Sequence, residues 1–375
     1  MQLTVAQRSD FIQIARQTYS LWSGGLTRDD YRHLLWSTCY HPWARRNSYR
    51  LVHKIKDEVI SSCKVVSLPF LMKGKEYEIW GLGSVFTAIN WRNKGLGSEL
   101  IESVLQKAKE ENIDGVLLFS AIDSNFYSSC GFRNLGSLDF QIRTYIYSLN
   151  NKVINDNKPG LLEAEIFIET RSSEQLCKLD REQKIDEQNP RFHFSSFYPW
   201  IKENDLEEIV RCYSRWLIKQ PYGIIRTYEH YAFQLAKFLY FSSYSKNNQC
   251  TLFLTIARKK GDMIGYAITE YSGTGIRILE LIGTEEGRAY LWHSLIKEAQ
   301  KKNLIHITGY ESGVGDFIPS TKLDCDILGI SPPIRVSGIQ CYQRFWSQPM
   351  CFSLNSDLET MTKQRPCPVL EFDYF

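Results

Sequence analysis

The chain has 375 residues, of which 43% are hydrophobic and 23% charged. This composition is typical of a folded globular protein of two or three domains and excludes a disordered or fibrous chain. The 45 basic and 42 acidic residues give a net charge of +3, which is too even a balance to indicate a nucleic-acid partner. No run of about 18 apolar residues predicts a membrane span, and the N-terminus lacks the pattern of a secretory signal.

The ten cysteines include no CxxC pair, and a chain of this length builds its core without disulfides. We therefore expect free thiols in the reducing environment of the cytoplasm. The seven histidines show no ligand spacing, so no metal site is predicted.

Changes in hydrophobic period divide the first 150 residues into helices and strands. The apolar run 115–120, bounded by turn residues, is typical of a buried strand in partly parallel pairing. The predicted elements are helix 8–22, helix 29–36, strands 49–55, 59–68 and 76–88, helix 97–111, strand 115–120, helix 123–130 and strand 141–147.

The polar segment 150–160, which ends in Pro-Gly, is the best candidate for a linker. After it the order of hairpin, strand, helix and strand occurs again, which predicts a second domain of similar fold. The elements there are a helical region 172–217, strands 251–257, 263–270 and 277–282, helix 288–302 and strand 304–308. The predicted units are 1–150, 151–317 and a Pro-rich C-terminal arm, 318–375, that forms a short sheet addition or a wrapping arm.

The sharpest motif lies between the third strand and the following helix, where Arg92 to Gly97 reads R-x-x-G-x-G. A glycine turn lets backbone N–H groups approach a phosphate, and the helix N-terminus adds partial positive charge. Arg92 and Lys94 add full charges, so the segment predicts a pyrophosphate site. A basic turn that only caps the helix is the simpler alternative.

A second motif, Y-x-x-x-G-F, runs from Tyr127 to Phe132, after the buried strand and inside the predicted short helix. In this structural order the two motifs resemble the Gcn5-related N-acetyltransferase (GNAT) superfamily over roughly residues 45–147. The resemblance implies that the strand before the loop splays from its neighbour and pairs with the pantetheine arm of coenzyme A. It also implies that Tyr127 is the general acid for the departing thiolate. The residues implied in cofactor binding are Val85, Phe86, Thr87, Arg92, Asn93, Lys94, Gly95, Leu96, Gly97, Ser98 and Asn125.

The general base of this site has two candidates on one strand. Glu78 lies on the third strand, seven residues before Val85, where the superfamily often keeps a carboxylate, and Glu76 is the second candidate. An exposed, solvated strand face is the alternative for Glu78.

The second half carries Glu285 and Glu286 at the turn equivalent to the glycine loop, where they would repel a pyrophosphate. A tandem fold with one degenerate half is similar to the enhanced-intracellular-survival group of acetyltransferases. That resemblance implies that the C-terminal carboxylate, here on Phe375, reaches the active site as a base. The arm is shorter than the third domain of that group, and an ordinary free terminus is the alternative.

The sequence thus predicts an α+β or α/β protein of two tandem GNAT-like domains, each a mixed, mostly antiparallel sheet flanked by helices, with the second degenerate. The expected activity is acyl-CoA-dependent transfer, by direct attack, to an amine such as a lysine- or ornithine-type side chain, in a peptide or a small molecule. Acetyl-CoA is the default donor. The alternatives are fatty-acyl transfer to a peptide amine, with an aromatic pocket near Trp22, Trp36, Trp43 and Trp80, and a non-catalytic acyl-CoA sensor. No nucleic acid or membrane partner is expected, and oligomerisation stays open.

Overall fold

A computed structural model describes residues 1–39, 41–143, 166–172, 203–244, 250–310, 337–343 and 347–363. The helices are α1 Arg8–Trp22, α2 Arg28–Thr38, α3 Pro42–Asn47, α4 Leu96–Glu110, α5 Ser124–Ser129, α6 Glu203–Leu217, α7 Tyr228–Tyr244 and α8 Glu285–Lys301, with short 3₁₀ helices at Ile89–Trp91 and Ser356–Lys363. The strands are β1 Leu3–Val5, β2 Ser48–Ile55, β3 Glu58–Met72, β4 Lys75–Thr87, β5 Gly115–Ser120, β6 Arg133–Asn134, β7 Leu138–Arg143, β8 Ile166–Ser172, β9 Tyr222–Ile224, β10 Cys250–Lys259, β11 Asp262–Ser272, β12 Gly275–Gly283, β13 His306–Tyr310, β14 Ser337–Gln343 and β15 Gln348–Ser353.

The first sheet has the strand order β1-β2-β3-β4-β5-β15-β6, and β9 pairs with β3. Strands β1 to β4 are antiparallel, whereas β4 and β5 are parallel and are joined by α4. The chain leaves β4 at its carboxyl end and must return to the other end of the sheet before β5 begins. The helix α4 makes this return, so it starts near the carboxyl end of β4.

The second sheet repeats that order with β8, β10, β11, β12, β13, β7 and β14. Its parallel pair, β12 and β13, is again joined by a helix, α8. The two sheets therefore correspond strand for strand. The mixed, mostly antiparallel fold class with two tandem units is confirmed by this repetition.

The two sheets also exchange one strand each. Strand β7 belongs to the first half in sequence but pairs with β13 and β14 in the second sheet, and β15, near the C-terminus, lies between β5 and β6 in the first. The predicted boundaries at residues 150 and 317 divide the chain but not the sheets, because the backbone hydrogen bonds of β7 and β15 are made in the opposite half.

Most predicted elements appear within a few residues of their expected bounds. Several elements were not predicted, among them the strands β1, β6, β8 and β9, the short helix α3 and the long helix α7. Of the α7 side chains, Tyr231, Phe233, Leu235 and Tyr240 are buried, along with the alanines between them. A helix that is buried around most of its circumference has no polar face, so it lacks the amphipathic period on which helix prediction depends.

Each face of the first sheet contributes to a separate core. Leu82 of β4 packs against Leu100 and Val104 of α4. On the opposite face, Phe70 and Ile79 pack with Trp43 of α3 and Phe233 of α7. A helix of the second half thus covers the first sheet on the side away from α4. Within the described residues, no helix combines the length and the apolar character needed to cross a membrane.

Candidate functional site

Strands β4 and β5 separate part-way along their length. Their pairing runs from Ile79 opposite Gly115 to Leu82 opposite Leu118, and β4 then continues to Thr87 beside β3 alone. A register shift with a positive φ of 49° at Ser84 bends the strand at this point. We call the opening after Leu82 the fork. Val85, Phe86 and Thr87 lie along it, and among the described residues no strand pairs with them on their β5 side.

The glycine-rich loop leads from the fork into α4. Gly95 is the N-cap with φ 77°, a left-handed conformation that favours glycine. The first intrahelical bond runs from the Glu99 N–H to the Gly95 carbonyl, so the amides of Leu96, Gly97 and Ser98 precede it. These N–H groups and the helix dipole form an electropositive end suited to an anion.

Arg92 and Lys94 stand exposed on this loop, and backbone contacts hold both. Arg92 Nε donates to the Thr87 carbonyl at 3.1 Å, and Lys94 Nζ donates to the Asn90 carbonyl at 3.2 Å. Their charged groups also lie over aromatic rings, Phe86 at 5.7 Å and Trp91 at 4.8 Å. Both charged groups are still exposed to solvent, so they can also contact a phosphate beside the N-terminus of α4.

Gly97 of the loop lies close to both α5 and the end of β4. A Cβ built on it would lie 3.3 Å from Phe126 Cζ and 3.5 Å from Thr87 Oγ1. The end of β4, the loop and α5 therefore come close together at Gly97.

On helix α5, the side chain of Tyr127 is buried and that of Asn125 is exposed. Tyr127 is buried, with its ring centroid 4.9 Å from that of Phe126 and 5.9 Å from that of Phe132. Asn125 is exposed, and its side-chain amide donates to Asp123 at 3.2 Å. The structure thus holds the Tyr127 ring in the core beside the loop and leaves Asn125 on the surface.

The structure does not bring Glu78 to the fork. Its carboxylate accepts a hydrogen bond from Ser67 Oγ at 2.7 Å, and its amide donates to Asp114, just after the C-terminus of α4. The 15-residue helix α4 separates that end from the glycine loop by about 22 Å. Glu76 lies further still from the fork on the same strand. Phe375 lies outside the described residues.

The four tryptophans suggested for an aromatic pocket are dispersed. Trp80 is buried under α4, Trp36 contacts Phe11 of α1, and Trp22 contacts Phe86. Trp43 stacks on His230 of α7 with ring centroids 4.3 Å apart. They do not form one continuous aromatic surface.

The second half has a similar opening between its parallel strands, and a buried ion pair lies beside it. Pairing of β12 with β13 ends at Ile278 opposite Gly309, and Glu280 follows within β12. The fully buried Glu280 carboxylate accepts from Arg226 at 2.5 Å and from Tyr231 at 2.7 Å, and it also contacts Tyr266.

The helix that follows this opening, α8, begins with Glu285 and Glu286. Its N-cap Thr284 already accepts from the Gly287 N–H at 3.0 Å. Two carboxylates and an occupied first turn replace the basic, open loop of the first half. These carboxylates lie at the turn that corresponds to the glycine loop, where the sequence analysis placed them.

Two cationic residues that the sequence analysis missed lie beside the fork of the first half. Lys64 of β3 is opposite Gly83, the first residue of β4 beyond the last β5 pair, and Arg50 of β2 is opposite Lys64. Burial and the nearby Arg50 charge lower the pKa of Lys64 to about 8. No motif marks these residues, since only the register between strands brings them together. Within the described part of the chain, no cluster of three or more His, Cys, Asp or Glu residues is suited to a metal ion.

Residues 10–132 match the model of the acetyltransferase (GNAT) family. The chain contains a GNAT-family domain. The matched segment spans most of α1, the fork, the glycine loop and Tyr127, and domains of this family are N-acyltransferases. Acyl transfer to an amine is the reaction that its fold supports. No curated protein matches the chain in sequence.

Solved structures resemble the GNAT domain and the second half together. The Gcn5-related N-acetyltransferase of Anabaena variabilis has a TM-score of 0.58 and 14% identity, covering 94% of this chain and 73% of its own. That of Kribbella flavida has a TM-score of 0.54 and 13% identity, covering 95% and 71%. An Enterococcus faecalis protein described as "Probable N-Acyltransferase" has a TM-score of 0.58 and 12% identity, covering 94% and 72%. At these identities the likeness concerns the fold alone.

Proposed function

We propose that the first half is an acyl-CoA-dependent N-acyltransferase that moves an acyl group, acetyl in the first instance, to an amine. The observation that carries the proposal is the contact of three parts at Gly97: the fork, the electropositive start of α4, and the helix that bears Tyr127. Each part serves a different section of a long thioester ligand.

The residues fit such a ligand in a definite order. The amides of Leu96, Gly97 and Ser98, with Arg92 and Lys94, would hold the pyrophosphate. The one-sided segment of β4 from Val85 to Thr87 would accept and donate backbone hydrogen bonds to the pantetheine amides, as an added strand does. Asn125 lies on the exposed side of α5, where its side chain would hydrogen-bond the cofactor.

In the transfer itself, the neutral amine nitrogen forms a bond to the thioester carbonyl carbon, and the carbon–sulfur bond breaks. We propose that the Tyr127 hydroxyl donates a proton to the departing thiolate, whose unperturbed pKa of about 8.5 makes this assistance modest. The amine loses its proton to a base. Because Glu78 is remote, the Phe375 carboxylate and a water relay stay as the candidates for this role.

The experiment is a pair of titrations combined with turnover. Acetyl-CoA and a long-chain acyl-CoA are titrated calorimetrically, and release of free thiol is then followed with lysine, ornithine, polyamines and peptides. Binding of acetyl-CoA with no gain from the long chain, together with amine-dependent thiol release, supports the proposal. A large gain from the long chain favours fatty-acyl transfer. Tight binding without thiol release for any amine favours the sensor.

A further inference from the structure

Arg50, Lys64 and Ser62 form a polar cluster on one face of the first sheet. Arg50 and Lys64 are directly opposite each other on β2 and β3, and Ser62 precedes Lys64 by two residues on the same strand. Directly opposed residues share a face, as do residues two apart in one strand. Leu51 and Cys63, which alternate with them, pack on the α4 side, so the cluster faces the other way, toward α7.

This cluster is buried and has no counter-ion among the described residues. Arg50 is only 7% exposed, and its Nη1 atom has no hydrogen-bond partner. Ser62 is fully buried, and its Oγ atom also lacks a partner. Lys64 is partly buried, and its ammonium lies 5.4 Å from the centre of the Phe233 ring of α7.

Among the residues that the structure describes, the other titratable groups near Lys64 add no negative charge at neutral pH. Burial lowers the pKa of Lys237 on α7, and the positive charge of Lys64 lowers it further. Burial and the Lys64 charge also lower the pKa of His230. Burial raises the pKa of the thiol of Cys39, the C-cap residue of α2, and this keeps the thiol neutral. Opposed like charges destabilise a sheet, and a buried cation without a partner costs several kcal/mol or more.

Such a cluster is stable where an anion completes it. We propose that Arg50, Lys64 and Ser62 bind a carboxylate of the substrate next to the fork. The site would act together with the thioester-binding strand, because Lys64 is opposite Gly83, where the fork begins. This inference rests on the proposed function, since it places the carboxylate on a molecule that takes part in acyl transfer.

The planar guanidinium of Arg50 suits two carboxylate oxygens, while the Lys64 ammonium and the Ser62 hydroxyl supply further donors. The carboxylate belongs either to the amine acceptor, as in an α-amino acid, or to a dicarboxylic acyl group on coenzyme A. The same donors serve both sources, so the experiment has one arm for each.

In the first arm, lysine and cadaverine are compared as acceptors with acetyl-CoA, since they differ only in the carboxylate. In the second arm, acetyl-CoA and succinyl-CoA are compared with one acceptor. We expect kcat/KM to favour the carboxylate-bearing member of one pair by about 10- to 100-fold, the ratio expected for charge-assisted hydrogen bonds. Lys64→Met and Arg50→Leu should abolish that ratio, whereas Lys107→Met, on the exposed side of α4, should keep it. Equal kcat/KM values within both pairs would overturn the inference.

Two measurements do not depend on turnover. At constant ionic strength, glutarate should raise the melting temperature of the wild-type protein but not of either variant. Without ligand, Lys64→Met should melt no lower than wild type, because it removes one of two opposed cations. A clear drop in melting temperature, or an equal effect of glutarate on all proteins, would overturn the inference. Acetyl-CoA binding by Lys64→Met is measured as well. If the variant binds acetyl-CoA as wild type does, a negative result in these tests counts against the carboxylate site and not against the proposed function.

Discussion

The Phe126 ring on α5 closes over Gly97 at the start of α4, so that a Cβ on Gly97 would lie 3.3 Å from Phe126 Cζ. The two sequence motifs are thus in direct contact, and a side chain at residue 97 would separate them. We expect Gly97→Val to weaken acetyl-CoA binding by at least 10-fold in calorimetry, because displacing Phe126 or the loop disturbs the amides that would hold the pyrophosphate.

Gly95→Ala is the matched comparison. No atom lies within 4 Å of a Cβ at Gly95, but its φ of 77° strains any other residue. This variant should lower the unfolding free energy by roughly 1–2 kcal/mol in a denaturant titration. If Gly97→Val bound acetyl-CoA as tightly as wild type, the contact would have no role in binding.

Replacing Arg92 and Lys94 together with alanine should raise the Kd for coenzyme A. Both cations are exposed at the N-terminus of α4, and each charge-assisted contact with a phosphate contributes about 1.5–3 kcal/mol. We expect a loss of 10-fold or more, measured by calorimetry at fixed ionic strength. Lys107→Ala with Lys109→Ala, at the other end of the same helix, is the charge-matched control. Equal effects of the two double variants would place the phosphate elsewhere.

Tyr127→Phe should reduce kcat while the Kd for acetyl-CoA stays nearly constant. The ring packs between Phe126 and Phe132, and phenylalanine preserves this packing while removing only the hydroxyl. Tyr77→Phe is a suitable control, since its hydroxyl bonds Asp357 at 2.8 Å at the opposite end of β4. A parallel loss of affinity and turnover in Tyr127→Phe would contradict the general-acid role.

Glu280→Ala should lower the unfolding free energy by about 3–5 kcal/mol, because it leaves the Arg226 guanidinium buried without its carboxylate. The exposed Glu285→Ala, at the first turn of α8, should change it far less. Thermal and denaturant unfolding check both values. Folded Glu280→Ala should still bind acetyl-CoA, and loss of that binding would mean that the second half takes part in it.

Carboxylate recognition by Lys64 should weaken as the pH rises through about 8. The pKa of Lys64 is lowered to about 8, first by burial and then by Arg50, so its positive charge is present below that pH and lost above it. A bound carboxylate shifts this transition upward. The glutarate-induced rise in melting temperature, followed from pH 6.5 to 9.5, tests this. A flat profile would assign the effect to Arg50 alone.

The sequence predicted the fold class correctly, and it located the glycine loop and the Tyr127 motif, because these signals are local. The glycine loop, the helix after it and the Tyr127 motif each depend on residues that are neighbours in the chain, and backbone conformation at Gly95 follows from residue type. The repeated order of strands and helices was visible for the same reason.

Other features depended on contacts between distant residues. The role proposed for Glu78 used its place in the sequence, yet the strand carries it to the end of the sheet remote from the loop. The exchange of β7 and β15 involves strands that no period distinguishes from ordinary neighbours.

By itself, the sequence determined the loop, the motif order and the absence of a basic turn in the second half. Only the tertiary structure decided which side chains meet at the fork. Arg50 and Lys64 are 14 positions apart, and each resembles a solvated strand residue in the sequence. The register of β2 on β3 sets them side by side, and α7 from the other half then covers them. Pairing and burial are set by hydrogen bonds and packing across the whole chain, which a local pattern does not encode.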